Sequence, residues 1–97
     1  MIGYRFLSVA EEEMSEAAVF YESRTPGLGT DFLEDVQQVI TRLRVHPEVG
    51  FEVAGGLRSA LLRRFPFSLI YSLEPGELLI VSVAHHRRRP GYWRTRS

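Results

Sequence analysis

Leu78-Leu79-Ile80-Val81-Ser82-Val83-Ala84 is the longest mostly apolar run of this chain, and both of its boundaries are abrupt. It is too short to cross a bilayer and has the length of a buried strand. On its N-terminal side, Glu74-Pro75-Gly76-Glu77 places Pro and then Gly at the two central positions of a type II turn. The run is therefore the second arm of a hairpin whose first arm covers about 67–73. On its C-terminal side it gives way to His85-His86-Arg87-Arg88-Arg89-Pro90-Gly91-Tyr92-Trp93-Arg94. A buried strand thus delivers a cationic, ring-bearing patch to one end of a sheet.

The rest of the chain supplies partners for that hairpin. Ile2, Tyr4 and Phe6 alternate as a short first strand. Ser8-Val9-Ala10-Glu11 has capping-box spacing, and Glu11, Glu12 and Glu13 complement the positive end of a helix. Met14, Ala17, Ala18 and Tyr21 form one stripe of that helix, which ends at Pro26-Gly27-Leu28-Gly29. Thr30 caps a second helix with a core stripe of Phe32, Val36, Val39, Ile40 and Leu43. Arg42 and Arg44 lie in its last turn, and His46-Pro47 stops it. Residues 47–56 read as a loop, followed by strands at about 57–64, 67–73 and 78–84. The order β-α-α-β-β-β predicts an α+β fold: a mostly antiparallel four-stranded sheet with an N-terminal helical hairpin packed on one face. Such a sheet keeps one face bare, and that face is the expected working surface.

The chain has 97 residues, 44% hydrophobic and 25% charged. That is one domain, 1–97, with a single core and no sign of disorder. With no cysteine there is neither a disulfide framework nor thiolate chemistry. The start, Met1-Ile2-Gly3-Tyr4-Arg5-Phe6, is unlike a signal peptide, so a soluble cytoplasmic protein without membrane contact is expected. Net charge is zero, but residues 1–56 hold four arginines against ten acids, and residues 57–97 eight arginines against two. A positive half of this kind suits polyanions or an acidic partner.

The order and content of these segments resemble the toxins of the RelE/ParE superfamily of type II toxin–antitoxin modules. The segments that carry the resemblance are Tyr4-Arg5-Phe6 leading into Glu16-Ala17 and Tyr21-Glu22; Pro26-Gly27-Leu28-Gly29 with Phe32; Leu62-Arg63-Arg64-Phe65-Pro66-Phe67; Leu69-Ile70-Tyr71; Val81-Ser82-Val83-Ala84-His85; and the Arg-Pro-Gly-Tyr-Trp-Arg ending. The resemblance implies a growth-inhibiting toxin masked by a cognate antitoxin. ParE-type members act on DNA gyrase without cutting RNA. RelE-type members cut messenger RNA on the ribosome, as metal-independent endoribonucleases. The fold alone does not choose between these targets.

If the chain is a ribonuclease, the resemblance places Tyr92 at the family's functional tyrosine and His86 at its nearby arginine, with Arg63 as the phosphate-holding cation. Histidine is able to serve as acid or base near neutral pH. Other positions depart from the nuclease pattern. Ser68 stands where the third-strand arginine belongs, and Ser59 and Leu61 stand at the second-strand lysines. The ParE-like reading is therefore favoured, and whether the chain is an enzyme stays open. Residues expected to contact RNA, another target or the antitoxin are Arg58, Arg64, His85, Arg87, Arg88, Arg89, Trp93 and Arg94. For Trp93 the preferred reading is instead an anchor of the C-terminus, as large rings usually pack. Arg87, Arg88 and Arg89 have the alternative of pairing with Glu11, Glu12 and Glu13. Adjacent His85 and His86 point to opposite faces, so no metal is expected, and no cofactor either.

Overall fold

The computed structural model describes residues 1–96. Strand β1 (Gly3–Phe6) leads into helices α1 (Ser8–Arg24) and α2 (Leu28–Val45), followed by strands β2 (Phe51–Val53), β3 (Leu57–Leu61), β4 (Phe67–Glu74) and β5 (Glu77–His85). The sheet order is β1-β5-β4-β3-β2; β1 runs parallel to β5 and every other pair is antiparallel. The expected α+β architecture is present, with five strands rather than four. The additional strand, β2, lies in the segment read as a loop. Three residues are too few to show alternation, and their position is set from outside. The buried Tyr71 hydroxyl donates to Pro47 O at 2.8 Å and accepts from Gly50 N at 3.1 Å. Arg58 Nη1 donates to the carbonyls of Glu48 and Gly50.

Two side chains on the helices close the turns around them. Glu22 of α1 accepts the N–H groups of Gly27 and Gly29, at 2.9 and 3.0 Å. Those are otherwise unpaired donors at the start of α2. The second helix therefore begins at Leu28, ahead of the expected cap Thr30, because its cap comes from the neighbouring helix. Asp35 of α2 is 2% exposed. Its two carboxylate oxygens accept the backbone N–H groups of Arg63 and Arg64, at 3.1 and 2.8 Å. This turns the chain out of β3 after Leu61, earlier than the expected end near residue 64.

The helix-bearing face of the sheet holds the larger core, in which Phe32, Val36, Ile40 and Leu43 meet Leu69, Tyr71, Leu78 and Ile80. Rings of Tyr21, Phe32, Phe65 and Phe67 pack edge to face at one end. The opposite face is not bare. Leu57, Ile70, Leu79, Val81 and Ala84 form a second cluster, closed by Trp93 with Tyr92 at its margin. The segment after β5 folds back across the sheet, so the working surface expected there is reduced to a groove between that segment and the strands. No helix among the described residues is long and apolar enough to cross a membrane.

Gly29 sets how closely the two helices approach. A Cβ there would lie 2.5 Å from Ala18 O and 2.9 Å from Glu22 Cβ. Gly29→Ala is therefore expected to lower stability by about 1–3 kcal/mol through overpacking, read as a lower midpoint in urea unfolding. Gly27→Asn, at a left-handed position with open space around it, should cost far less.

Candidate functional site: a cationic groove moored by Glu13

β1 leaves the sheet at Phe6, opposite Ile80, and Leu7 N donates to Ile80 O. Beyond that point the outer edge of β5 has no strand partner among the described residues. An unpaired strand edge is an open template for another chain. Side chains close it here. Val83 N donates to Glu13 Oε1 at 3.0 Å, and Val81 O accepts from Arg96 Nη1 at 3.1 Å. Glu13 and Arg96 are themselves an ion pair at 2.8 Å, both largely buried. Tyr92 Oη donates to Glu13 Oε2 at 2.6 Å, and Ser82 Oγ donates to Glu13 Oε1 at 3.0 Å. A register shift at Ile70/Tyr71 leaves Val81 as an extra residue on β5, next to Ser82. One carboxylate on α1 thus gathers the sheet edge and the C-terminal segment.

These contacts set the charge states. Burial alone would raise the Glu13 pKa. The bonds from Arg96, Tyr92, Val83 N and Ser82 outweigh it and hold the carboxyl below its ordinary value. Tyr92 is pushed up by burial and by its bond to Glu13, so its phenol keeps its proton.

The groove beside this cluster has a volume of about 260 Å³. Ser59, Ser68, Ile70 and Ala84 form its floor, and the segment from His85 to Trp93 forms its wall. His86 Nε2 lies 3.0 Å from Ser68 Oγ, and its backbone N–H donates to Pro66 O. The Arg88 guanidinium sits 3.9 Å from the centre of the Tyr92 ring, and that of Arg96 5.0 Å from it. No Asp or Glu lines the groove.

Of the residues expected to act, the structure brings His85, His86, Arg88, Arg89, Tyr92 and Trp93 to this groove. Trp93 is 7% exposed, so its ring is packed rather than presented. His85 and His86 make different contacts. His85 packs edge-on to Phe67 at 4.9 Å, and its Nδ1 accepts from Arg87 N. Its pKa is lowered by burial, then by Arg87 and His86. Arg63 lies elsewhere, beside Arg42, Val49 and Phe51. Arg64 reaches Asp31 O and lies over Phe65, and Arg58 is held by the Glu48 and Gly50 carbonyls. Arg94 folds back on Gly91 O. The acid that pairs with the C-terminal arginines is Glu13, and its partner is Arg96 rather than Arg87, Arg88 or Arg89.

Sequence reasoning missed Glu13, Ser82, Arg96 and Asp35. For the two acids a signal exists. Ala10, Glu13 and Ala17 fall at i, i+3 and i+7, as do Phe32, Asp35, Val36 and Val39 at i, i+3, i+4 and i+7, so each acid sits on a core-facing stripe.

A five-stranded sheet with a helical hairpin on one face and a cationic C-terminal cassette on the other is the fold of a RelE/ParE-type toxin. The family described as ParE toxin of type II toxin–antitoxin system, parDE, matches residues 4–90. The chain belongs to that family. Among solved structures it is similar to a chain of the chromosomal ParDE toxin–antitoxin system from P. aeruginosa, with a TM-score of 0.74 at 20% identity, covering 88% of this chain and 96% of that one. No curated protein sequence matches significantly.

The Glu13 cluster predicts a specific acid response. With its folded pKa lowered, Glu13 contributes stability that is complete above the ordinary carboxylate value of 4.5. That contribution is lost as pH falls through the lower folded value. Glu13→Gln should cost about 1.5–3 kcal/mol at pH 7, the range for hydrogen bonds to a charged group. The gap between parent and variant in urea unfolding should shrink as pH drops below 4.5 and through the lower folded value. A gap independent of pH would refute the assignment.

Proposed function

We propose that the chain is the toxin of a ParE-type module, acting in the cytoplasm by binding DNA gyrase without bond-breaking chemistry, and held inactive by a cognate antitoxin. The observation that carries this reading is the state of Tyr92. General acid–base cleavage of RNA needs a group free to exchange protons with the reacting atoms. The Tyr92 hydroxyl is committed to Glu13 at 2.6 Å, and its pKa is raised. Arg63, the cation of the nuclease reading, lies outside the groove. What the groove offers is a fixed cationic surface, which suits binding. Family membership supports the same target class.

For the antitoxin, the positive half of the chain suits an acidic segment, and the exposed Phe51 and Leu61, in the depression that also holds Arg63, suit that segment's apolar side chains. His86, 3.0 Å from Ser68 Oγ in the groove, is the one feature that favours the ribosome and its messenger RNA as the target.

Induced expression, with supercoiling and translation followed side by side, separates these readings. Growth arrest with loss of supercoiling while translation continues is the expected result. Immediate cleavage of ribosome-bound message, lost on His86→Ala, would replace gyrase with messenger RNA. Unimpeded growth would point to a non-toxic relative that only binds antitoxin.

A further inference from the structure

The groove has the composition of an oxyanion site. Its rim carries Arg88, Arg89 and His86, its floor carries Ser59 and Ser68, and among the described residues no Asp or Glu lines it. Among the described residues neither Arg88 nor Arg89 has a carboxylate partner, because the nearby acid is taken by Arg96. Arg88 is nevertheless held in place. Its guanidinium stacks at 3.9 Å on Tyr92, and the hydroxyl of that ring is fixed at 2.6 Å by Glu13. Two arginines, a histidine bonded to Ser68 and a second serine thus line one groove. A flat carboxylate is satisfied by one fork, whereas a tetrahedral phosphate presents oxygens in several directions.

The rings decide which phosphate. Proteins that hold single strands offer exposed aromatic faces on which bases stack. Here Trp93 is 7% exposed, and the Tyr92 ring is stacked by Arg88 and Arg96. Neither of these two large rings is left free to take a base, and His86 is already engaged with Ser68 Oγ. The groove matches a strand whose bases are already turned inward.

We propose that this groove binds the phosphodiester backbone of duplex DNA without reading its sequence, and that Glu13 is the positioning residue, acting through Tyr92, that holds Arg88 in place. This deepens the toxin reading by giving the groove a ligand, and rests on that reading only for where the DNA is met: gyrase is itself a DNA-bound target.

The test uses the full chain and a labelled duplex oligonucleotide, followed by anisotropy across a salt series. Trp93, the single tryptophan, gives a second signal from within the groove. Binding indifferent to sequence is expected. Arg88→Gln and Arg89→Gln should each weaken it about tenfold and lower the slope of log K against log salt by about 0.9, one phosphate contact. Glu13→Gln discriminates by sign. Removing a negative charge strengthens anion binding by simple electrostatics, whereas a lost positioning residue weakens it several-fold. If that variant does not fold, Tyr92→Phe, which keeps the ring and cuts its bond to Glu13, should weaken binding in the same direction. Parental affinity and slope in Arg88→Gln would overturn the site. So would tighter binding of single-stranded RNA or of a glutamate-rich peptide than of the duplex. Parental or tighter binding by both Glu13→Gln and Tyr92→Phe would remove Glu13 from the role. Loss of supercoiling is scored separately, so a chain that blocks gyrase yet ignores free duplex sinks this inference alone.

Discussion

Everything at the functional end of this molecule depends on one carboxylate. Where β1 turns away into α1, the edge of β5 is left with unpaired backbone groups, and burying such groups unpaired costs about as much as a lost hydrogen bond. Glu13 takes the N–H of Val83, and its ion-pair partner Arg96 takes the carbonyl of Val81. Glu13 also binds the hydroxyls of Ser82 and Tyr92. A buried carboxylate is tolerable only when it is so fully bonded. The same bonds that neutralise its burial tie the C-terminal segment to the sheet, and the segment then carries Trp93 onto the second core. Edge protection, the second core and the wall of the groove are consequences of one arrangement.

Asp35 and Tyr71 repeat this logic. Each is buried, each sits on a regular element, and each spends its polar atoms on the backbone of an irregular segment. Asp35 shapes the turn that carries Arg63 and Arg64, and Tyr71 shapes the loop that leads into β2. Among the described residues no buried side-chain nitrogen or oxygen lacks a partner. The acids of α1 and α2 that face inward are thereby committed to structure, while among the described residues Arg88 and Arg89 have no carboxylate partner. The sequence asymmetry in charge therefore becomes a local excess at the groove.

The parts of the fold set by local periodicity were legible from the residues. The stripes of the two helices, the Pro75–Gly76 hairpin and the apolar strand before His85 all stand where pattern and turn chemistry put them. β2 was not legible, because three residues carry no pattern and their position comes from Tyr71 and Arg58. The covered second face was not legible either. Whether Trp93 anchors or presents its ring depends on Arg96 and Glu13, which lie far apart in the chain, and a run of three glutamates at a helix start has an adequate local explanation. Only the helical spacing of Ala10, Glu13 and Ala17 distinguishes the third glutamate. Which face Arg63 takes was not legible for a similar reason. Its facing follows from Asp35, on another element, drawing the chain out of β3.

That dependence on distant acids bears on how one fold serves unlike targets. The sheet and the helical hairpin place the C-terminal cassette, but the cassette's chemistry depends on which of its polar groups remain free. Here the tyrosine hydroxyl is bound and the indole is packed, while two guanidiniums and an imidazole stay exposed. A free phenol in that place would be open to proton transfer. A bound one, whose pKa is raised by burial and by Glu13, serves as a platform on which Arg88 rests. On the proposed reading, the choice between catalysis and binding is made one step away from the groove, by the acid that the first helix turns inward.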